Sequence, residues 1–177
     1  FAVPAWVGSR IINLCEEATA MSTRSVIAQW TDKDKGEWAG QYHHWDGYPT
    51  ALGATLYHEC RRQDMTKFLD TLLQHSWATI NGADWRLKPG PQCHCHGDRH
   101  EKRWEPLTQA TASDSGCEWA YVLDPERRTM TVLECSHDGW HMVGMFGQGA
   151  PGRDVFWVER GVVFVDNPEP DWEAMQV

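Results

Sequence analysis

The sequence lacks any long apolar run and is poor in basic residues. None of its apolar segments approaches the roughly 18 residues that a membrane-crossing helix needs, so we expect no membrane partner. It has 16 Lys and Arg against 25 Asp and Glu, which gives a formal net charge of −9. General nucleic-acid binding needs clustered positive charge, so this composition disfavours it. Hydrophobic residues make up 41% of the 177 positions, enough for a packed core.

Several common catalytic motifs are also missing. The sequence contains no Gly-Lys-Ser/Thr phosphate-binding loop, no GxSxG nucleophile elbow and no HExxH zinc helix. No motif in the sequence therefore indicates a particular reaction. The candidate functional residues lie in less common clusters of His, Cys and acidic residues.

Cysteine usage disfavours a secreted disulfide scaffold. The six cysteines are at positions 15, 60, 93, 95, 117 and 135. Without Cys15 an odd number remains, and Cys93 and Cys95 are too close in sequence for an ordinary disulfide. This pattern favours a reducing, cytoplasmic location.

The chain divides into three parts. The first residue is Phe1 and the first methionine is Met21, so we interpret residues 1–20 as an upstream or non-native extension. A short native helix is the alternative. Residues 21–166 are predicted to form a single α+β domain. Residues 167–177 are an acidic, proline-containing tail that we expect to fray.

The order of the elements predicts the fold class. Alternation over residues 25–45 predicts a β-hairpin, and apolar stripes predict helices over 51–62 and after Asp64. Further strands are predicted after residue 117, one of them over residues 139–146, and residues 155–166 are predicted to form a closing hairpin that turns at Arg160-Gly161. We expect an α+β fold: a mainly antiparallel sheet with two consecutive helices packed on it and a long Cys/His-rich loop.

That loop, residues 83–116, contains the strongest local signal for a metal. Structureless loops of this length are uncommon unless they are functional or pinned. Zinc takes four nitrogen or sulfur ligands in a tetrahedron. We therefore predict a structural zinc site. The predicted ligands are Cys93, Cys95, His96 and Cys117. His100 is the alternative to His96.

A second cluster lies at the end of the predicted hairpin. His44, Trp45, Asp46 and Tyr48 belong to the motif HWDGYP and are predicted to form a recognition surface. A histidine beside a carboxylate suits acid–base work or the support of a metal ligand. The alternative is architectural, in which the aromatic rings pack, Asp46 bonds backbone amides in the turn and Pro49 begins the helix.

Four blocks resemble a family of small uncharacterised proteins of actinobacteria and their phages. The blocks are Met21-Ser-Thr-Arg-Ser, His44-Trp-Asp-Gly-Tyr-Pro-Thr50, Pro91-Gln-Cys-His-Cys-His-Gly-Asp-Arg99 and Gly116-Cys-Glu-Trp-Ala-Tyr-Val122. HWDGYP is the specific part of this resemblance. The resemblance implies a cytoplasmic protein of a bacterium or phage and carries no activity.

Together these features favour a small zinc-binding cytoplasmic protein that works by binding a protein or a small-molecule ligand. The alternative is a metal-dependent hydrolase that acts on a phosphate ester or nucleotide. In that case His44 and Asp46 would approach an open metal site, where a bound water would be the nucleophile.

Overall fold

The computed structural model describes residues 23–80, 92–93, 105–137 and 155–176. The strands are β1 (Arg24–Asp32), β2 (Glu37–His43), β3 (Trp77–Thr79), β4 (Gln92–Cys93), β5 (Leu107–Thr108), β6 (Cys117–Asp124), β7 (Thr129–His137) and β8 (Val155–Phe164). The helices are α1 (Ala54–Arg62), α2 (Met65–Leu72) and α3 (Gln109–Asp114). A π-helical turn (Pro49–Gly53) precedes α1, and a 3-10 helix (Glu173–Gln176) follows β8. None of the helices in the described ranges is long and apolar enough to cross a membrane.

The strands form one mixed sheet in the order β4-β3-β2-β1-β6-β7-β8, and β5 also pairs with β2. The β1–β6 and β2–β3 pairs are parallel, whereas the other pairs are antiparallel. The fold is therefore α+β, as predicted, with two consecutive helices at residues 49–62 and 65–72. The predicted β1–β2 hairpin is also confirmed.

Alternation along the strands gives the sheet two apolar faces. In β1, Ile27 points to one face, and Val26 and Ala28 point to the other. We call the first the helical face, because side chains of α1 and α2 cover it. The opposite face is covered by α3, through Ala112, and by Trp157. Two separate cores are therefore built on a single sheet.

The two consecutive helices dock through their buried side chains. In α1, Leu56 and Cys60 are fully buried one turn apart, and in α2 Leu69 and Leu72 are buried. The Asp64 carboxylate accepts a hydrogen bond from the backbone N–H three residues on, at 3.0 Å, which caps the start of α2.

Two predicted features near the end of the chain are wrong. Residues 155–164 form one continuous strand, and Arg160-Gly161 is not a turn: the register shifts there, so the chain bulges and continues along β7. The tail does not fray at Trp172, whose ring is buried in the helical-face core. Its 3-10 helix follows directly and lies against the π-helical turn, where Gln176 bonds Thr50.

The predicted loop over residues 83–116 is partly replaced by regular structure. β4 pairs with β3, β5 pairs with β2, and α3 follows β5 directly. Thr108 and Thr111 cap α3 reciprocally, which explains why this short helix begins there. The strand predicted over 139–146 lies outside the described residues.

Candidate functional site

The HWDGYP segment leaves β2 as a turn that is fixed by backbone hydrogen bonds. The His44 N–H donates to the carbonyl of Trp77 at 2.9 Å, and the Trp45 N–H donates to the carbonyl of Ala78 at 3.1 Å. These bonds extend the β2–β3 pairing beyond the end of β2. Backbone hydrogen bonds therefore hold the segment along β3 independently of its side chains.

The middle of this turn is held tightly against β1. The Gly47 N–H donates to the carbonyl of Thr23 at 2.9 Å, and Tyr121 donates its hydroxyl proton to the carbonyl of Gly47 at 2.8 Å. A Cβ atom on Gly47 would lie only 2.5 Å from the Ser25 hydroxyl oxygen, so this position requires glycine. Asp46 has a φ of 55°, a conformation that side-chain-bearing residues other than Asn and Asp adopt with difficulty.

The side chains of His44 and Trp45 form an ordered aromatic pair. The Tyr42 hydroxyl lies 2.7 Å from the His44 Nδ1 atom and orients that ring. The Trp45 ring packs edge-on against His44, with ring centroids 4.5 Å apart and planes at 89°. Trp45 is still 39% exposed, and Asp46 beside it is exposed as well. We name the residues Tyr42, His44, Trp45 and Asp46 the aromatic turn.

Tyr48 and Pro49 serve the architecture instead. Tyr48 is half-buried and packs against the helical-face core, and its carbonyl accepts hydrogen bonds from the N–H groups of Ala51 and Leu52. Burial and the charge of Asp46 raise the pKa of the Tyr48 hydroxyl. Pro49 is buried at the first position of the π-helical turn. Of the four predicted recognition residues, His44 and Trp45 contact each other, Asp46 follows them as an exposed residue, and Tyr48 packs against the helical-face core.

A buried Ser25–His43 pair lies directly beneath this turn. The Ser25 hydroxyl oxygen is 3.3 Å from His43 Nδ1, and both residues are almost completely buried. Burial, together with the neighbouring His44, lowers the pKa of His43 to about 3, so the ring is neutral. His43 Nε2 has no hydrogen-bond partner among the described residues. The two adjacent histidines therefore differ in environment, as their opposite directions on a strand require.

Sequence reasoning missed this pair, although a signal for it exists. Ser25 and His43 are cross-strand partners in the β1–β2 hairpin. Correct alignment of the hairpin places them side by side on one face.

The sheet separates two of the four predicted metal ligands. Cys93 lies on β4 and Cys117 begins β6, so four strand-to-strand steps, or about 19 Å, lie between their strands. Zinc–sulfur bonds are only about 2.3 Å long, so a single ion cannot take both sulfurs. Cys117 is buried, its thiol donates to the carbonyl of Ser25 at 3.7 Å, and burial raises its pKa to about 12.

The remaining predicted ligands, Cys95 and His96, lie outside the described residues, as does His100. No three His, Cys, Asp or Glu side chains in the described ranges are grouped closely enough to hold a metal ion. Zinc binding by Cys93, Cys95 and His96 therefore stays a prediction.

The hydrolase alternative requires the aromatic turn and the Cys/His cluster to converge. Cys93, the described member of that cluster, and His44 both border β3: Cys93 is opposite Trp77 on one side, and His44 bonds the carbonyl of Trp77 on the other. Their faces differ, however. Cys93 is opposite Trp77, a residue of the helical-face core, whereas His44 contacts Tyr42, which belongs to the opposite core. Among the described residues, His44 belongs to no group of three or more side chains that could hold a metal ion.

Comparison with known proteins gives no relative: no family model, no curated protein and no solved structure matches the chain. The resemblance to the actinobacterial and phage family therefore stays a prediction, and the functional argument depends on the geometry alone.

Proposed function

We propose that the protein works by binding, and that the aromatic turn is its recognition surface. One observation carries this proposal: Trp45 is an exposed indole, yet its main chain is hydrogen-bonded to β3 and its ring packs edge-on against an oriented histidine. A large aromatic side chain on a fixed backbone loses little conformational entropy on binding, which is why tryptophan dominates many interfaces.

The chemistry of the turn favours a cationic group on the partner. Trp45 presents an electron-rich ring, and the exposed carboxylate of Asp46 follows it directly. A guanidinium or ammonium group can lie over an indole and donate to a neighbouring carboxylate at the same time. The net charge of −9 adds a long-range attraction for basic partners. We therefore propose a basic segment of another protein, rich in Arg or Lys, as the ligand.

The fixed backbone at Asp46 supports the same interpretation. Aspartate is one of the few side-chain-bearing residues that adopt a left-handed conformation readily, so it fits this turn. Hydrogen bonds join the next residue, Gly47, to Thr23 and Tyr121. The backbone that carries Asp46 is thus fixed next to Trp45 before any partner arrives.

Zinc belongs to this proposal as a structural element separate from the recognition surface. We propose that Cys93, Cys95 and His96 bind zinc in a Cys/His-rich loop and that the fourth ligand is not Cys117. Cys93 is already placed on β4, so an ion there would be tethered to the edge of the sheet. The odd number of cysteines after Met21 favours the cytoplasm as the location.

The recognition surface can be tested with a short fluorescein-labelled peptide of alternating Arg and Gly. We expect fluorescence anisotropy to show saturable binding, and no binding of the same peptide with Glu in place of Arg. Trp45→Ala and Asp46→Asn should each weaken binding by about five- to tenfold. Asparagine also tolerates a left-handed backbone, so Asp46→Asn removes only the charge.

Asp34→Asn provides a matched control, because Asp34 is exposed in the β1–β2 turn and undergoes the same change of charge. Its affinity should equal that of the unaltered protein. Equal losses for Asp34→Asn and Asp46→Asn would reduce the effect to net charge. The aromatic turn would then be refuted as the recognition surface.

A further inference from the structure

The outer strand β8 carries most of the exposed large apolar side chains in the described part of the chain. Phe156, Val158, Val162 and Phe164 are 38–53% exposed, and Trp45 is the one other large apolar side chain exposed there. Among the described strands, β8 pairs with β7 and ends the sheet. A long apolar strand at a sheet edge is a template for pairing with another strand.

A bulge divides β8 into two halves. Val132 and Leu133 are successive residues of β7, but their partners on β8 are Gly161 and Glu159, so Arg160 is an extra residue. An extra residue reverses which face the following side chains occupy, because side chains alternate with a period of two.

The exposed apolar side chains consequently lie on both faces of the sheet. Before the bulge, Val158 is aligned through β7 with Trp119 of the helical-face core. After the bulge, Val162 is aligned through β7 with Val122 of the opposite core. A partner strand must therefore match one face in one half and the other face in the other half.

We propose that β8 pairs in antiparallel fashion with β8 of a second copy of this chain, centred between Glu159 and Arg160. This register sets the half before the bulge of one copy against the half after the bulge of the other. Val158 then lies opposite Gly161, and Trp157 opposite Val162, with the faces matched in both halves.

The charges at the centre of β8 fit the same register. Glu159 and Arg160 are both exposed, and this register sets Glu159 opposite Arg160 of the second copy, so no like charges are directly paired at the centre. Arg160 already pairs with Glu134 of its own chain. Glu134 is aligned with Trp119 of the helical-face core, so the Arg160 side chain extends on that face, whereas Glu159 is opposite Leu133 of the other core.

The size of the interface favours a reversible dimer. The four exposed apolar side chains contribute roughly 300 Å² of accessible surface per chain. With the strand backbone and the flanking side chains, the total buried area is about 1,000 Å², at the lower end of specific interfaces. We expect a dissociation constant in the range of about 1–100 µM.

Sedimentation velocity of the whole chain, at concentrations from about 1 to 500 µM, tests the proposal across that range. The mass should rise from that of a 20.3 kDa monomer towards that of a dimer. Joint replacement of Val158 and Val162 by Lys should weaken dimerisation at least about hundredfold, and Glu159→Lys about tenfold. Glu126→Lys, an identical change at an exposed position in the β6–β7 turn, is the control and should dimerise normally.

Circular dichroism melting curves establish that each variant is folded. A monomer at every concentration would overturn the proposal, as would a dimer that all three substitutions leave intact. Equal weakening by Glu126→Lys and Glu159→Lys would also overturn it, since charge alone would then explain the loss. Trp45→Ala should leave the dimer unchanged, so this test is independent of the recognition surface.

Discussion

Replacement of Trp172 by Ala tests whether the end of the chain is part of the core. Trp172 is 7% exposed, its ring meets Tyr57 edge-on at 6.0 Å between centroids, and its indole N–H donates to Glu169 at 2.8 Å. A Cβ added to Gly53 would lie 3.0 Å from this ring, which shows how closely the indole covers the π-helical turn. The alanine variant therefore loses a large, well-packed contact.

The structure sets the size of the expected loss. Burying an indole removes about 200 Å² of apolar surface from water, which corresponds to about 5 kcal/mol at about 25 cal/mol per Å². A terminal segment can relax after truncation of the ring, so we expect the lower part of the usual range, about 3 kcal/mol. For a chain of this size, that loss lowers the melting temperature by roughly 6–12 °C.

Urea denaturation followed by circular dichroism measures this loss. Trp45→Ala is the matched control, because it removes the same ring from an exposed position and should cost less than about 1 kcal/mol. If Trp172→Ala costs no more than Trp45→Ala, the tail does not contribute to the core and our argument from burial fails.

Two further predictions concern zinc and pH. Cys93→Ser should remove zinc from the purified protein as measured by elemental analysis, whereas Cys117→Ser should retain it; equal zinc contents in the two variants would contradict the separation across the sheet. The pKa of His43 is about 3 in the folded protein against 6.5 for the unperturbed side chain, so the unfolded chain binds the additional proton between these values. Stability should thus be full above about pH 6.5 and fall by up to about 1.4 kcal/mol per pH unit towards pH 3. His43→Gln should flatten this slope in urea titrations at pH 4, 5 and 7, and an unchanged slope would assign the acid sensitivity to other groups.

Local patterns predicted the elements whose side chains repeat regularly. The alternation in residues 25–45 and the apolar stripe of α1 are visible in the sequence because each follows from the period of one element. Asp64 likewise predicts the start of α2, because aspartate is a favoured N-cap residue and its side chain forms the capping bond. These elements needed no knowledge of distant partners.

Features that depend on distant partners could not be predicted in this way. Arg160-Gly161 looks like a turn, but pairing with β7 turns it into a bulge. The acidic composition around Trp172 suggests fraying, yet Tyr57 and Gly53 provide a site for the ring. In both cases the tertiary contact overrides the local preference.

The candidate site shows the same division. The motif HWDGYP is visible in the sequence as a cluster, but its turn is fixed by distant partners, because Gly47 bonds Thr23 and Tyr121. Whether Cys117 lies near Cys93 depends on strand order, which the sequence does not contain. Because β6 pairs in parallel with β1, the strands β1, β2 and β3 all lie between them.

That parallel pair also constrains how the chain can be assembled. Ser25 and Cys117 are 92 residues apart in sequence, yet they are neighbours at the centre of the sheet. Closing so long a loop has a large entropic cost, which slows folding. During synthesis, the first hairpin and both consecutive helices leave the ribosome before the strand that completes their core. In newly made chains, the hairpin and helices therefore expose apolar surface until translation has passed β6.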